Sequence, residues 1–292
     1  MTMADYVLMT DSCCDLTSDM AAELEVEVLP LSLELNGRSY RNYLDGREVS
    51  FQDFYGQVRG GAMPVTSAVN VGQFEEAMRP VLEAGKDLLC LCFSSALSTT
   101  FQSACIAVEE LAEEFPERKI YTLDTRCASM GQGLLVWLCA QEKKKGLSID
   151  KLWDYASQTQ SKICHWFTVD DLNHLKRGGR VSAAAALFGT MLSVKPILHV
   201  DDKGRLIPME KCRGRRASLL ALVDHMEKTA VNPETQTVFI SHGDCLEDAE
   251  FVAEEIRRRM GVRDIHINYV GPVIGSHSGP GTVALFFLGS PR

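Results

Sequence analysis

The run Leu88-Leu89-Cys90-Leu91-Cys92-Phe93, followed at once by Ser94-Ser95-Ala96-Leu97-Ser98, decides the fold. Six consecutive apolar residues fit a short strand covered on both faces, the pattern of a buried parallel sheet. Outward from it, Tyr6-Val7-Leu8-Met9 ends in Thr10-Asp11-Ser12, Lys119 to Leu123 ends in Asp124-Thr125, and Val26 to Leu35 adds a further strand-like stretch. Helical spacing fills the gaps at Phe74 to Ala84, Phe101 to Phe115 and Met130 to Lys145. The alternation predicts an α/β/α domain on a parallel sheet. Open sheets of this kind bind ligands outside the carboxyl ends of their strands, so the polar residues at the three strand ends are expected to converge on one crevice.

A polar helix, Ile149 to Ser161, leads out of this unit, and a domain boundary is expected near residue 160. The second half has a different grammar. Val194 to Val200 and Leu206 to Lys211 flank Asp201-Asp202-Lys203-Gly204, a hairpin turn. Ile163 to Val169, Val238 to Ser241, Ile265 to Val270 and Val283 to Leu288 complete a mixed six-stranded sheet, with helices Ser182 to Leu192, Arg216 to Thr229 and Leu246 to Met260 on one face. The expected fold is therefore α/β in two domains, a parallel α/β/α domain over 1–160 and a two-layer mixed-sheet domain over 161–292.

With 46% hydrophobic and 24% charged residues the chain is an ordinary globular protein. Its apolar runs are too short to cross a bilayer, and no basic segment followed by a long apolar stretch opens it, so a cytoplasmic protein without integral membrane association is expected. The ten cysteines are scattered, several of them inside apolar segments, and read as reduced, buried thiols. Neither Cys13-Cys14 nor Cys90-x-Cys92 has the spacing of a zinc or redox site, so no metal is expected. A net charge of −9 argues against nucleic acid as a partner. No glycine-rich phosphate motif of the dinucleotide or P-loop type occurs, which removes the main support for a nucleotide cofactor.

Three stretches carry candidate chemistry. Pro64-Val65-Thr66-Ser67 holds a hydroxyl pair beside a proline, ahead of a helix with Asn70 as N-cap, a suitable fixed donor to an anion. Gly271 to Gly281 reads as a compact glycine- and proline-rich loop that places His277 between Ser276 and Ser278. Two basic clusters, one containing Arg177 and Arg180 and the other Arg213, Arg215 and Arg216, stand out against the acidic background and suit an anionic partner surface or phosphate groups.

Taken together these residues resemble the DegV family of bacterial fatty-acid-binding proteins. The resemblance runs in order through Asp11-Ser12 with Asp15-Leu16, Thr66-Ser67, Ser94 to Ser98, Asp124 with Met130 to Gly133, Lys176 to Arg180, Lys195 to Leu198 and Gly271 to Gly281. The sequence departs from the family pattern at Ser98-Thr99-Thr100, where a glycine commonly follows the serine, and at Cys13-Cys14. The resemblance implies one long-chain fatty acid bound between two domains, with no catalytic residue and no cofactor beyond that acid. It implies a carboxylate held by Thr66 and Ser95 with His277 alongside, and with Ser67, Ser94 and Ser276 as secondary candidates. It further implies, as for some family members, presentation of the acid to a separate ATP-dependent fatty-acid kinase that makes an acyl phosphate for phospholipid metabolism. Arg177, Arg180, Arg213, Arg215 and Arg216 would be the docking points.

Burying an acyl chain yields about 0.8 kcal/mol per methylene, so a long tail supplies most of the affinity and the carboxylate is the harder part. Hydroxyl donors would satisfy it without an arginine fork, leaving an oxygen free to attack phosphorus. The competing reading is a serine hydrolase acting on acyl esters, with Ser95 as nucleophile, His277 as base and Asp11 or Asp124 as orienter. Against it, the G-x-S-x-G elbow is absent, and Gly275-Ser276-His277-Ser278-Gly279 has histidine at its centre.

Overall fold

The computed structural model describes residues 6–181, 194–290 and 292. The expected helix over Ser182 to Leu192 lies outside them.

Strands β1 (Tyr6–Asp11), β2 (Val26–Leu29), β6 (Asp87–Cys92) and β7 (Ile120–Asp124) form a four-stranded parallel sheet in the order β2-β1-β6-β7. Its helices are α1 (Ser18–Glu23), α3 (Val71–Glu83), α4 (Thr100–Glu114), α5 (Met130–Lys144) and α6 (Ile149–Thr159). Asn70 caps α3 in a capping box with Gln73.

Between β2 and β6 the chain departs from what the sequence suggests. Val26 to Leu35 is not one strand: Pro30 follows β2, and Ser32–Leu35 is a separate strand, β3, in an antiparallel sheet with β4 (Arg38–Arg41) and β5 (Val65–Ser67), ordered β4-β3-β5. Proline has no N–H to give a ladder, so the run breaks there and changes sheet. Helix α2 (Phe51–Arg59) lies between β4 and β5 in the chain and buries Phe54, Tyr55 and Val58.

The second half is a six-stranded mixed sheet, β10-β9-β8-β13-β11-β12, built from β8 (Ile163–Thr168), β9 (Val194–Val200), β10 (Leu206–Arg213), β11 (Thr237–His242), β12 (Asp264–Tyr269) and β13 (Val283–Leu288). Only β11 and β12 run parallel. Period-two alternation sorts its side chains. Cys164, Trp166, Val238, Ile240, Val283, Leu285 and Phe287 pack with α8 (Arg215–Thr229) and α9 (Leu246–Met260) on one face. Phe167, Leu198, Phe239, Ala284 and Phe286 join Leu134, Leu135 and Val136 of α5 on the other. Helix α5 is thus a layer shared by both sheets.

Two short helices complete the described chain, α7 (Asn173–Arg177) and α10 (Pro272–Ser278). The second corrects the reading of Gly271 to Gly281 as a loop. Gly271 is its N-cap, Pro272 occupies the first turn where its missing N–H costs nothing, and Gly279 ends it at φ +79°.

Candidate functional site

A cavity of about 480 Å³ opens between the carboxyl end of the parallel sheet and the inner face of the six-stranded sheet. Much of its wall is apolar, including Phe93 and Leu97 after β6, Phe167 of β8, Val200 of β9, Val273 and Ile274 of α10, and Phe286 of β13. Among the described residues its polar groups are hydroxyls, imidazoles and one guanidinium, with no carboxylate in the lining.

Strand β5 and helix α10 meet directly at one end. There Thr66 Oγ1 and His277 Nε2 are 2.8 Å apart. Burial pushes the His277 imidazole down to about 4, with the nearby Arg180 charge acting in the same direction, so the ring is neutral at ordinary pH. Gly178 packs against the other ring nitrogen so closely that a Cβ there would overlap Nδ1.

The structure brings together four of the six expected carboxylate ligands. Thr66, Ser67, Ser95 and His277 all line the cavity. Ser94 is fully buried and its hydroxyl donates instead to Gly204 O of the β9–β10 hairpin at 2.9 Å. Ser276 donates to Pro272 O of its own helix at 2.7 Å. The hydroxyl on α10 that does face the cavity is Ser278, whose Oγ is buried without a partner among the described residues. An orphaned hydroxyl in a cavity wall is costly unless something in the cavity satisfies it.

The strand-end crevice is narrower than the sequence suggests. Asp11 is used by the scaffold, accepting from Phe93 N (2.7 Å) and Cys13 N (3.0 Å) and so tying β1 to the end of β6. Ser12 accepts from Leu31 N at 3.0 Å, and Thr125 donates to Cys92 O at 2.7 Å. Ser95 alone of these lines the cavity, and its hydroxyl donates to Asp124 Oδ2 at 2.5 Å.

That last bond bears on the hydrolase reading. The Ser95 proton goes to Asp124, while His277 is bonded to Thr66, so no Ser–His pair is assembled for nucleophilic attack. Among the described residues no group of three His, Cys, Asp or Glu could hold a metal ion, and no helix is long and apolar enough to cross a membrane.

The basic clusters divide. Arg180 lines the cavity, its Nε donating to Leu97 O at 3.2 Å and its Nη1 to Gly178 O. An arginine therefore stands beside the hydroxyl end, which the sequence alone had left to neutral donors. Arg177 Nη2 lies 3.2 Å from His174 Nδ1. Arg215 is committed to Asp248 (2.7 Å) and Asp170 (3.6 Å), Arg216 stacks on Phe251, and Arg213 is exposed at the end of β10. Thr66, Arg180 and His277 also line a second cavity of about 290 Å³, shared with Met63, Val65, His174, Arg177 and Ser276. The Thr66–His277 pair is thus common to an apolar chamber and a basic one.

Residues 6–290 match the model of the DegV family, described as uncharacterised. The chain is 47% identical over 290 residues to a DegV domain-containing protein of Clostridium perfringens, covering 99% of both. It also resembles the structure of a fatty-acid-binding DegV family protein of Thermus thermophilus, with TM-score 0.88 and 30% identity over 98% of this chain and 99% of that one. The DegV fatty-acid-binding protein of Bacillus subtilis gives TM-score 0.85 and 27% identity over 98% and 100%.

Proposed function

The chain belongs to the DegV family, and from that premise we propose that it binds one long-chain fatty acid between its halves, 1–160 and 161–292, and presents the carboxylate to a separate ATP-dependent kinase. The observation that carries this reading is the cavity itself, apolar over much of its wall and polar where Thr66, Ser95, His277 and the orphaned Ser278 gather. Its volume falls in the usual range for small-molecule sites.

Burial of a sixteen-carbon tail is worth on the order of 10 kcal/mol before ordering costs. The carboxylate loses water on entry and needs donors in return. Thr66 and His277 make the grip as a hydrogen-bonded pair that leaves one donor for the carboxylate, and Ser278 adds a second. Ser95 joins by turning its hydroxyl from Asp124 to the ligand.

With the acid so held, one carboxylate oxygen attacks the γ-phosphorus of ATP on the kinase. The new O–P bond forms as the bond from phosphorus to the β-bridging oxygen breaks, and ADP leaves with that electron pair. No proton need move, so this chain supplies position and no catalytic group. The kinase would dock over the basic chamber, where Arg177 is exposed, with the exposed Arg213 as a further docking point.

The deciding experiment is mass spectrometry of material extracted from the purified protein. A fatty acid at one equivalent is expected, and an empty or nucleotide-bearing protein overturns the reading. Thr66→Val, which keeps the shape and removes the donor, should weaken binding about 10- to 100-fold, the worth of a hydrogen bond to a charged group. Unchanged palmitate affinity in that variant would remove Thr66 from the grip.

A further inference from the structure

One stretch of the apolar cavity's wall is polar without belonging to the carboxylate grip. Ser129, the residue before α5, and Ser241 of β11 both line the cavity, and both are buried. Ser129 Oγ is bonded to Asp15 Oδ2 and lies 2.8 Å from Ser241 Oγ. Among the described residues the Ser241 hydroxyl has no other partner. A hydroxyl carries one hydrogen and two lone pairs, so whichever way the hydrogens run from Asp15 to Ser241, the last oxygen keeps capacity for a further bond. Alternation along β11 puts Ser241 on the inner face with Phe239, and the ladder sets Ala284 beside it and Phe167 beyond. Ala128 and Ala284 line the cavity too, so the wall is recessed at the hydroxyl pair, between the bulk of Phe167 and Phe286.

We propose that Ser129 and Ser241 form a second binding point in the cavity, which takes a hydroxyl group carried partway along the acyl chain, so that the preferred ligand is a hydroxy fatty acid. The proposal rests on the fatty-acid reading of the cavity. The serines lie away from the grip. Asp15, which holds Ser129, also accepts from Gly271 N at the start of α10 (3.0 Å), whereas His277 stands in the last turn of that helix. Gly271 and His277 are six positions apart, about 9 Å along the axis at 1.5 Å per residue. Val273 and Ile274, between them, line the cavity with apolar surface. A ligand gripped by its carboxylate at Thr66 and His277 therefore meets the serines several carbons along its tail. A chain hydroxyl gives up water on entry and needs a partner in return, which the free capacity of the pair supplies. A plain methylene at the same place leaves the serines with the bonds they already have, so an unsubstituted acid still fits. Sites that bond a ligand hydroxyl separate ligands more sharply than apolar walls separate them by a methylene.

The test is competition against palmitate on the delipidated full chain, with palmitates hydroxylated at one carbon at a time and, for each carbon, the methyl-branched analogue as a control for space. One mid-chain hydroxy isomer should bind about ten-fold or more tightly than its methyl analogue and than the isomers hydroxylated elsewhere, the worth of a buried hydroxyl's hydrogen bond. Ser241→Ala should bring both ratios close to one. A flat series on the unaltered chain overturns the proposal, whether or not the variant folds. So does a methyl analogue that binds as well as the hydroxy isomer, which would make the recess mere room, and so does a preference that survives Ser241→Ala. Each of these outcomes leaves the fatty-acid reading standing, because palmitate is bound throughout. A chain that takes up none of the acids overturns both.

Discussion

His277 is the residue on which the site turns, and its neighbours decide its chemistry. Burial and the Arg180 charge hold it neutral down to about 4, so it meets a carboxylate as a dipole. Its folded pKa lies below the unfolded one. The stability tied to the neutral ring is therefore complete above about pH 6.5 and is lost as pH falls toward about 4, where the unfolded chain takes up the proton first. NMR titration of the ligand-free protein should find His277 unprotonated at about pH 6; an inflection at the ordinary histidine value would contradict this. Gly178→Ala drives a methyl into Nδ1 and should displace the ring, reducing palmitate retention and lowering the melting temperature as overpacking does. Unchanged retention would show that the ring position is not critical. At this scale the sequence pointed to Thr66 and His277, because proline and glycine punctuation marks where a backbone is fixed. The resemblance put Ser95 ahead of Ser94 and named Ser276 rather than Ser278, while Ser95 and Ser278 are the ones that line the apolar cavity. Which member of each set faces a cavity depends on how a strand end turns and on the phase of a helix.

Among the elements, α10 shows how composition can mask a signal that is present. Gly271-Pro272 is a helix start and Gly279 a helix stop, but the glycines between and around them argued for a loop. What settles the helix is tertiary. Gly275 passes so close to α2 that a Cβ would lie 2.6 Å from Tyr55 Oη, and that hydroxyl donates to Val270 O at 2.7 Å just before the helix begins. Gly275→Val should therefore destabilise the protein by about 1–3 kcal/mol, read as a lower urea midpoint, the usual cost of overpacking. An unchanged midpoint would mean that α2 and α10 can part freely. The strands of the six-stranded sheet were largely visible as apolar runs. The split of Val26 to Leu35 was not, because both pieces are apolar and only Pro30 betrays the change of sheet.

Across the whole molecule the two halves are joined by a shared helix layer and by a buried polar knot. Asp15, at the end of the turn after β1, accepts from Ser129 Oγ (2.5 Å) and from Gly271 N (3.0 Å), and Ser129 Oγ lies 2.8 Å from Ser241 Oγ in the six-stranded sheet. Burial raises the Asp15 carboxyl to about 8; the bonds from Ser129 and Gly271 oppose the rise and the Asp11 charge adds to it. A folded pKa above the unfolded one favours the neutral acid, so this group's contribution is fullest in acid and is lost as pH rises from about 4 to about 8. Asp15→Asn should flatten the fall of melting temperature between about pH 5 and about pH 8. An unchanged slope would place the alkaline loss elsewhere. By itself the sequence determined the α/β class, the parallel sheet and the mixed sheet of six strands, because apolar period and turn residues are local properties of the chain. It also marked the family through motifs spread over its length. Tertiary structure alone decided that α5 serves both sheets, that Arg180 stands beside the hydroxyl end, and that the Thr66–His277 pair is bordered by an apolar chamber and a basic one. Those facts depend on contacts between residues far apart in the chain, such as Thr66 and His277, and spacing along a chain does not encode the distance or direction of such contacts.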